Sequence, residues 1–230
     1  MTFTQPSMII TIDGPSSSGK STIGQQLALN IGYHYLDTGC LYRALTVATL
    51  QHNISVTDKH AITKLASDID IKVQTSKIED GRQYTVLIDS IDVTWDLRSS
   101  NVDTNVSLIS TIPGVRQILT EQMRSIADGV SIVMVGRDIG TVVVPDAPLK
   151  FYLDASIAER ARRRHRENIE NGQQSDYKEI ILSLKARDSI DTQRESAPLR
   201  KPTNAYIIDT TSMKPMSVLN EMLMIIHDSI

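Results

Sequence analysis

The chain has 230 residues, a length that suits one large domain, or a core carrying insertions, rather than several domains. It is 40% hydrophobic and 22% charged with a formal net charge of −3, so nucleic acid finds no overall electrostatic match and any phosphate binding must come from local clusters. Its one cysteine, Cys40, excludes an intramolecular disulfide and a cysteine metal cage. No apolar run approaches the ~18 residues of a membrane span, and the first is too short for a secretory signal. The expectation is a cytoplasmic enzyme with no membrane partner.

Met8 to Ile12 is a β-branched apolar run that suits a buried strand. Gly14-Pro15-Ser16-Ser17-Ser18-Gly19-Lys20-Ser21 follows and reads G-x-x-x-x-G-K-S, the phosphate-binding loop. From Thr22 to Gly32 the residues Ile23, Leu27 and Ile31 recur at helical spacing, so the context is strand, glycine loop, helix. In that context backbone N–H groups and a helix N-terminus converge on one place and attract an anion. Lys20 adds a point charge for the outer phosphates, and the Ser21 hydroxyl is placed to ligand Mg²⁺.

Tyr33 to Leu36 is a short strand candidate ending in Asp37-Thr38-Gly39, and Leu41 to Gln51 reads as a helix with Tyr42 and Arg43 at its start. An arginine in a first turn opposes the helix dipole, so Arg43 either faces a negative ligand or is a solvated surface residue. Between about Val56 and Val106, Ile69, Ile71 and Val73 alternate with polar residues, as do Tyr84, Val86 and Ile88, with Gly81 in a polar turn between them. Ile91-Asp92-Val93-Thr94 alternates again, giving a small antiparallel meander with Trp95 packing at its base. Pro113 opens a helix that Gly129 stops, and Val130 to Val135 is the near-continuous apolar run of an interior parallel strand. That strand exits into Gly136-Arg137-Asp138-Ile139-Gly140-Thr141.

Lys150 to Leu153 is a further strand, after which Ser156 and Glu159 form a capping box for the next helix. Arg160, Arg162, Arg163, Arg164 and Arg166 crowd into two turns of it; such a run is commonly a solvated basic face, and in a chain with a phosphate loop a phosphate clamp is the favoured reading. A polar tip, Asn168 to Asp176, leads to a helix over about Tyr177 to Arg194 that aligns Arg187, Asp191 and Arg194 on one face. Such a carboxylate either sits in a surface triplet or holds two arginine forks for a phosphate. Tyr206 to Ile208 is the last strand, ending in Asp209-Thr210-Thr211, and Val218, Met222 and Ile225 mark a C-terminal packing helix. Strands alternating with helices around a glycine loop give an α/β fold with a parallel sheet.

Several of these stretches together resemble the bacterial cytidylate kinase family of P-loop nucleoside monophosphate kinases. They are Ile12 to Pro15 leading into the loop, Leu36-Asp37-Thr38-Gly39 with Tyr42-Arg43, Gly136 to Val143 with Pro145, Arg187-Asp188 through Asp191, Arg194 and Ala197-Pro198-Leu199, and Ile208 to Thr211. The resemblance implies a P-loop NTPase core of a parallel sheet flanked by helices, with a small antiparallel β insertion for the monophosphate and a helical lid. On that reading the core is 1–55, 107–156 and 188–230, the insertion about 56–106 and the lid about 157–187.

The family's roles carry over by position. Gly14, Pro15, Ser16, Ser17, Ser18, Gly19, Lys20, Ser21 and Thr22, with Arg160 and Arg164 of the lid, would bind ATP, with Mg²⁺ on Ser21. Asp37, Thr38, Arg43, Ser107, Arg116, Arg137, Asp138, Asp191 and Arg194 would bind CMP. Of these, Ser107, Arg116 and Asp138 would surround the cytosine, Arg43, Arg137 and Arg194 its phosphate, and Asp191 its sugar. Lys20, Arg137, Arg187 and Arg194 would be catalytic. Relatives often carry Gly-Ala where this loop has serines, and several carry Ser where this chain has Thr38.

The implied reaction moves the γ-phosphoryl group of ATP to CMP or dCMP. The implied partners are those nucleotides, with no nucleic acid and a monomeric chain. Asp37 or Asp138 would order metal-bound waters, and mutual repulsion of the arginines would hold the lid and insertion open in the empty enzyme. The rival readings are another small-metabolite P-loop kinase, of shikimate or dephospho-coenzyme-A type, and a nucleotide switch. A hydroxyl acceptor calls for a placed general base, and the Asn-Lys-x-Asp guanine-reading motif is absent from the chain.

Overall fold

The computed structural model describes residues 7–170 and 172–229. Residues 1–6 and 230, at the ends of the expected core, and residue 171, in the expected tip of the lid, lie outside the described residues. The chain divides into two compact units, one formed by residues 1–36 with 127–230 and the other by 37–126.

The first unit is built on a five-stranded sheet. Its strands are β1 (Ile9–Asp13), β2 (His34–Asp37), β6 (Ile132–Gly136), β7 (Leu149–Asp154) and β8 (Tyr206–Asp209), in the order β2-β6-β1-β7-β8. β1 is the middle strand and runs parallel to both β6 and β7, and β7 runs parallel to β8. The helices of this unit are α1 (Lys20–Ile31), α6 (Ile157–Glu170), α7 (Tyr177–Gln193) and α8 (Pro215–Ser229). Ile10 and Ile12 of β1, Val133 and Val135 of β6, and Phe151 and Leu153 of β7 form the core with Ile23 and Leu27 of α1 and Val218 and Met222 of α8. Side chains on one strand face point to the same layer, so alternate residues of three strands meet two helices. Ala161, Ile180 and Leu184 form a smaller cluster that joins α6 to α7.

The second unit holds α2 (Gly39–Gln51), α3 (Lys59–Asp68), α4 (Ser100–Ile109) and most of α5 (Pro113–Ala127). Its antiparallel sheet is β3 (Ile71–Thr75), β4 (Tyr84–Ile88) and β5 (Ile91–Asp92), as the alternation predicts. The expectation of a meander from Val56 to Val106 overlooks α3 and most of α4, whose helical spacing the alternating segments obscure. Ile62, Leu65 and Ala66 give α3 a buried stripe, and the Asp58 side chain caps it by accepting from the Ala61 N–H at 2.9 Å.

β5 is shorter than the alternation suggests, because Asp92 accepts from both the N–H (2.9 Å) and the hydroxyl (2.6 Å) of Thr94 and turns the chain. Trp95 does not pack at the base of the sheet. It is 52% exposed, donates to Asp80 at 3.1 Å, and carries the Arg82 guanidinium 5.8 Å from its ring centre. Cys40 is buried, as a packing residue should be, and burial pushes its thiol up from the ordinary value. No helix among the described residues is long and apolar enough to cross a membrane.

Candidate active site

The phosphate loop leaves the end of the middle strand, where open α/β sheets bind ligands. Gly14 has φ 149°, and a Cβ there would lie 2.1 Å from the Leu153 carbonyl oxygen, so no larger residue fits. Ser17 (φ 60°) and Gly19 (φ 97°) also adopt left-handed conformations, which curl the loop onto the start of α1. Lys20 is buried and its ammonium group donates to the Pro15 carbonyl at 2.5 Å and to the Ser18 hydroxyl at 3.4 Å. The Ser17 hydroxyl is buried with no hydrogen-bond partner among the described residues, as suits a loop that closes around an anion.

The loop is braced from behind by arginines of α6. Arg160 donates to the Ser16 carbonyl (3.3 Å) and the Ala155 carbonyl (3.0 Å) and pairs with Asp188 at 2.6 Å. Arg163 donates to the Ser18 carbonyl (3.2 Å), and to the hydroxyl (3.0 Å) and carbonyl (2.5 Å) of Thr210, while its Nε pairs with Glu159 at 3.0 Å. Thr210 itself donates to the Ser18 carbonyl at 3.1 Å. Arg164 is turned to Glu167 (3.8 Å), and Arg162 pairs with Glu159. Acidic partners thus answer much of the repulsion expected within the arginine run. The capping box at Ser156 is half formed. Its hydroxyl accepts from the Glu159 N–H at 3.3 Å, but the Glu159 carboxylate serves arginines, and the Ser156 N–H donates to Thr211 at 2.9 Å.

A second cluster gathers at the exit of β6. Asp191, on the last turn of α7, is buried and receives Arg137 Nε at 2.9 Å, Arg194 Nη1 at 3.8 Å and Arg187 Nε at 4.0 Å. Arg194 also pairs with Asp138 at 3.2 Å and donates to the Ala197 carbonyl at 2.7 Å. Burial alone would raise the Asp191 carboxyl; the charges of Arg137 and Arg187, the Arg137 hydrogen bond and the charge of Arg194 outweigh it and hold the group below its ordinary 3.8. Arg187, Asp191 and Arg194 therefore come together as their spacing predicts, although Arg194 is the extended residue that ends α7, and Arg137 joins them from the residue after β6. Three guanidinium groups against the carboxylates of Asp138 and Asp191 leave this cluster with an excess of positive charge.

Sequence reasoning passed over Asp13, at the end of β1. It is fully buried, and its two carboxylate oxygens accept the N–H groups of Ile139 and Gly140, each at 2.8 Å. Burial raises this carboxyl to about 6 against the lowering effect of those two hydrogen bonds, with Asp138 adding and Lys20 opposing. The available signal was a charged residue closing an apolar strand. The roles of Arg163 and Thr210 at the loop are not visible in the sequence, since an arginine run does not reveal which members face inward.

In the second unit, Thr38 occupies the N-cap position of α2 without a side-chain capping hydrogen bond, and the Asp37 carboxylate accepts the Gly39 N–H at 3.1 Å. Arg43 pairs with Asp103 (2.6 Å) and donates to the Leu97 carbonyl (2.7 Å), which anchors it across to α4. Arg116 is buried, donates to the Ser110 carbonyl at 3.1 Å and stacks 5.3 Å from the Tyr42 ring centre. Ser107 is buried, and its carbonyl accepts from the Ser110 hydroxyl at 2.8 Å. Thr38, Arg43, Ser107 and Arg116 thus belong to the second unit, and Arg137, Asp138, Asp191 and Arg194 to the first.

No group of three or more His, Cys, Asp or Glu side chains among the described residues is placed to hold a metal ion. Ser21 in the first turn of α1 fits a magnesium ion that takes its other ligands from phosphates and water, the usual arrangement for this cation.

A parallel sheet whose middle strand runs through a glycine loop into a helix, with arginines gathered on a buried carboxylate at the neighbouring strand's exit, defines a P-loop protein built to hold phosphates. The chain belongs to the cytidylate kinase family: the family model described as Cytidylate kinase matches residues 10–228. Relatives named cytidylate kinase include one from Caldanaerobacter subterraneus, 44% identical over 91% of this chain and 90% of its own. Another, from Roseiflexus castenholzii, is 46% identical over 92% and 90%. A third, from Streptococcus uberis, is 46% identical over 91% and 92%. An uncharacterized protein from Eubacterium ventriosum shares the fold, with a TM-score of 0.52, 12% identity, and coverage of 96% of this chain and 98% of its own.

Proposed function

We infer that the chain is a cytidylate kinase that transfers the γ-phosphoryl group of ATP to CMP or dCMP, giving ADP and CDP or dCDP. The observation that carries this beyond family membership is the convergence of Arg137, Arg187 and Arg194 on Asp191. A kinase acting on a hydroxyl needs a base; one acting on a phosphate needs fixed cations. A phosphate monoester has a second pKa near 6, so the acceptor is already largely dianionic at neutral pH and needs no proton removed. The barrier is electrostatic: two phosphate charges ~4 Å apart repel by about 4 kcal/mol at an effective dielectric of 20.

On this reading the loop's backbone N–H groups and Lys20 hold the ATP phosphates, and Arg137 and Arg194 hold the CMP phosphate. Arg187 offsets charge on the moving group, and Asp191 aims the guanidinium groups and engages the sugar. In the first unit Asp138 is assigned to the cytosine; taken by itself, the second unit offers Ser107 and Arg116 for a base and Asp37, Thr38 and Arg43 for a monophosphate. Arg160 and Arg164 belong to the lid over ATP. Ser21 would help hold a magnesium ion, which would supply further charge neutralisation. Positioning and fixed positive charge are the recurring means by which such sites accelerate phosphoryl transfer.

The test is ADP release measured across CMP, dCMP, UMP, AMP, GMP and shikimate at equal concentration. CMP and dCMP are expected to be the best acceptors. Turnover with CMP no faster than with the others, or preferred turnover of shikimate, overturns the assignment.

A further inference from the structure

We propose that Asp13 is a positioning residue that aligns the Arg137–Asp138 segment with the phosphate loop and so sets the enzyme's hold on the acceptor nucleotide. The proposal rests on reading Arg137 and Asp138 as acceptor-binding residues.

Asp13 is the last residue of β1, and Gly14 of the phosphate loop is the next. In the sheet register it lies opposite Gly136, one residue before Arg137. Directly after Asp138 the chain makes a π turn over Ile139–Val143, in which the N–H groups of Val142 and Val143 both return to the Asp138 carbonyl, at 2.9 and 3.2 Å. The first N–H groups of such a turn have no partner within it. The Asp13 carboxylate supplies both acceptors, one oxygen for Ile139 and one for Gly140. π turns are frequent at functional sites.

The contact leaves no slack. A Cβ on Gly140 would lie 2.8 Å from the Thr11 hydroxyl oxygen, so the turn lies directly on β1. The direction in which β6 delivers Arg137 and Asp138 is thus fixed from β1 through one side chain. The phosphate loop has separate supports: Leu153 against Gly14, and Thr210 with Arg163 on the Ser18 carbonyl. Loss of Asp13 should therefore fall on the acceptor side and spare ATP.

Asparagine at position 13 keeps one acceptor and turns a donor toward the other N–H. In Asp13→Asn, assayed with CMP and ATP varied separately, KM for CMP should rise and kcat/KM for CMP fall about ten- to a hundredfold, the scale of one lost charged hydrogen bond. KM for ATP should stay within about twofold of wild type. Arg137→Ala should give the same split, and the double variant should lose less than the product of the two single losses, as coupled residues do. Equal loss on both substrates, no loss, or strictly multiplicative losses would overturn the proposal. If Asp13→Asn shows no cooperative unfolding, Gly140→Ala displaces the same turn from Thr11 and should reproduce the split; a wild-type profile or equal loss for both substrates would refute it. Failure of the underlying CMP reading shows differently, as a wild-type enzyme without preference for CMP and an Arg137→Ala variant with unchanged CMP use.

Discussion

Replacing Asp191 by asparagine keeps the shape of the side chain and removes the one charge on which three guanidinium groups converge. Arg137 Nε, 2.9 Å away, loses a charged acceptor, a bond worth about 1.5–3 kcal/mol net. Arg194 and Arg187, at 3.8 and 4.0 Å, lose the charge that balances them. Breaking a buried ion pair by removing one partner costs about 3–5 kcal/mol, so Asp191→Asn should unfold in urea with roughly 3–4 kcal/mol less stability at pH 7. The pH dependence follows from the sign of the shift. The Asp191 carboxyl lies below its ordinary 3.8 in the folded chain, so its contribution is complete above that value and is lost as pH falls through the lower folded one. The gap between wild type and variant should be widest near neutrality and close on acidification below pH about 4. Equal stability at pH 7, or a gap undiminished at the lowest pH at which wild type folds, would refute the reasoning.

Gly14→Ala should destabilise the protein by about 2 kcal/mol or more and weaken ATP binding, since its Cβ would meet the Leu153 backbone in a left-handed conformation; thermal unfolding and an ATP titration check both. Lys20→Ala should keep the fold by circular dichroism and lose roughly a hundredfold or more in turnover. Arg194→Ala should raise KM for CMP by more than KM for ATP in steady-state assays. Asp138→Ala should lower the ratio of kcat/KM for CMP to that for UMP; an unchanged ratio removes Asp138 from base recognition.

What was legible in the sequence is what local spacing decides. The strand, glycine loop and first helix follow one another without a break, and Arg187 and Asp191 lie on one helix that Arg194 ends, so their contact follows from short-range geometry. The partners that complete those features come from far along the chain. Arg137 reaches Asp191 across 54 positions, and Asp13 reaches Gly140 across 127. The arginine run of α6 shows the same limit. Its composition announces phosphate chemistry, but which members face the loop depends on how Ala161 packs against Ile180 and Leu184. Arg160 and Arg163 face inward for that reason, while Arg164 turns to Glu167. Trp95 departs from expectation because one aromatic beside an alternating segment looks like core. Its indole N–H and the nearby Arg82 and Asp80 gave it a polar, half-exposed setting instead.

The central claim is that the guanidinium groups gathered on Asp191 exist to hold the acceptor's phosphate. A crystal structure of the protein soaked with CMP tests it most directly. The account predicts the CMP phosphate within hydrogen-bond distance of both Arg137 and Arg194; a phosphate bound away from both, with CMP still turned over, would contradict it.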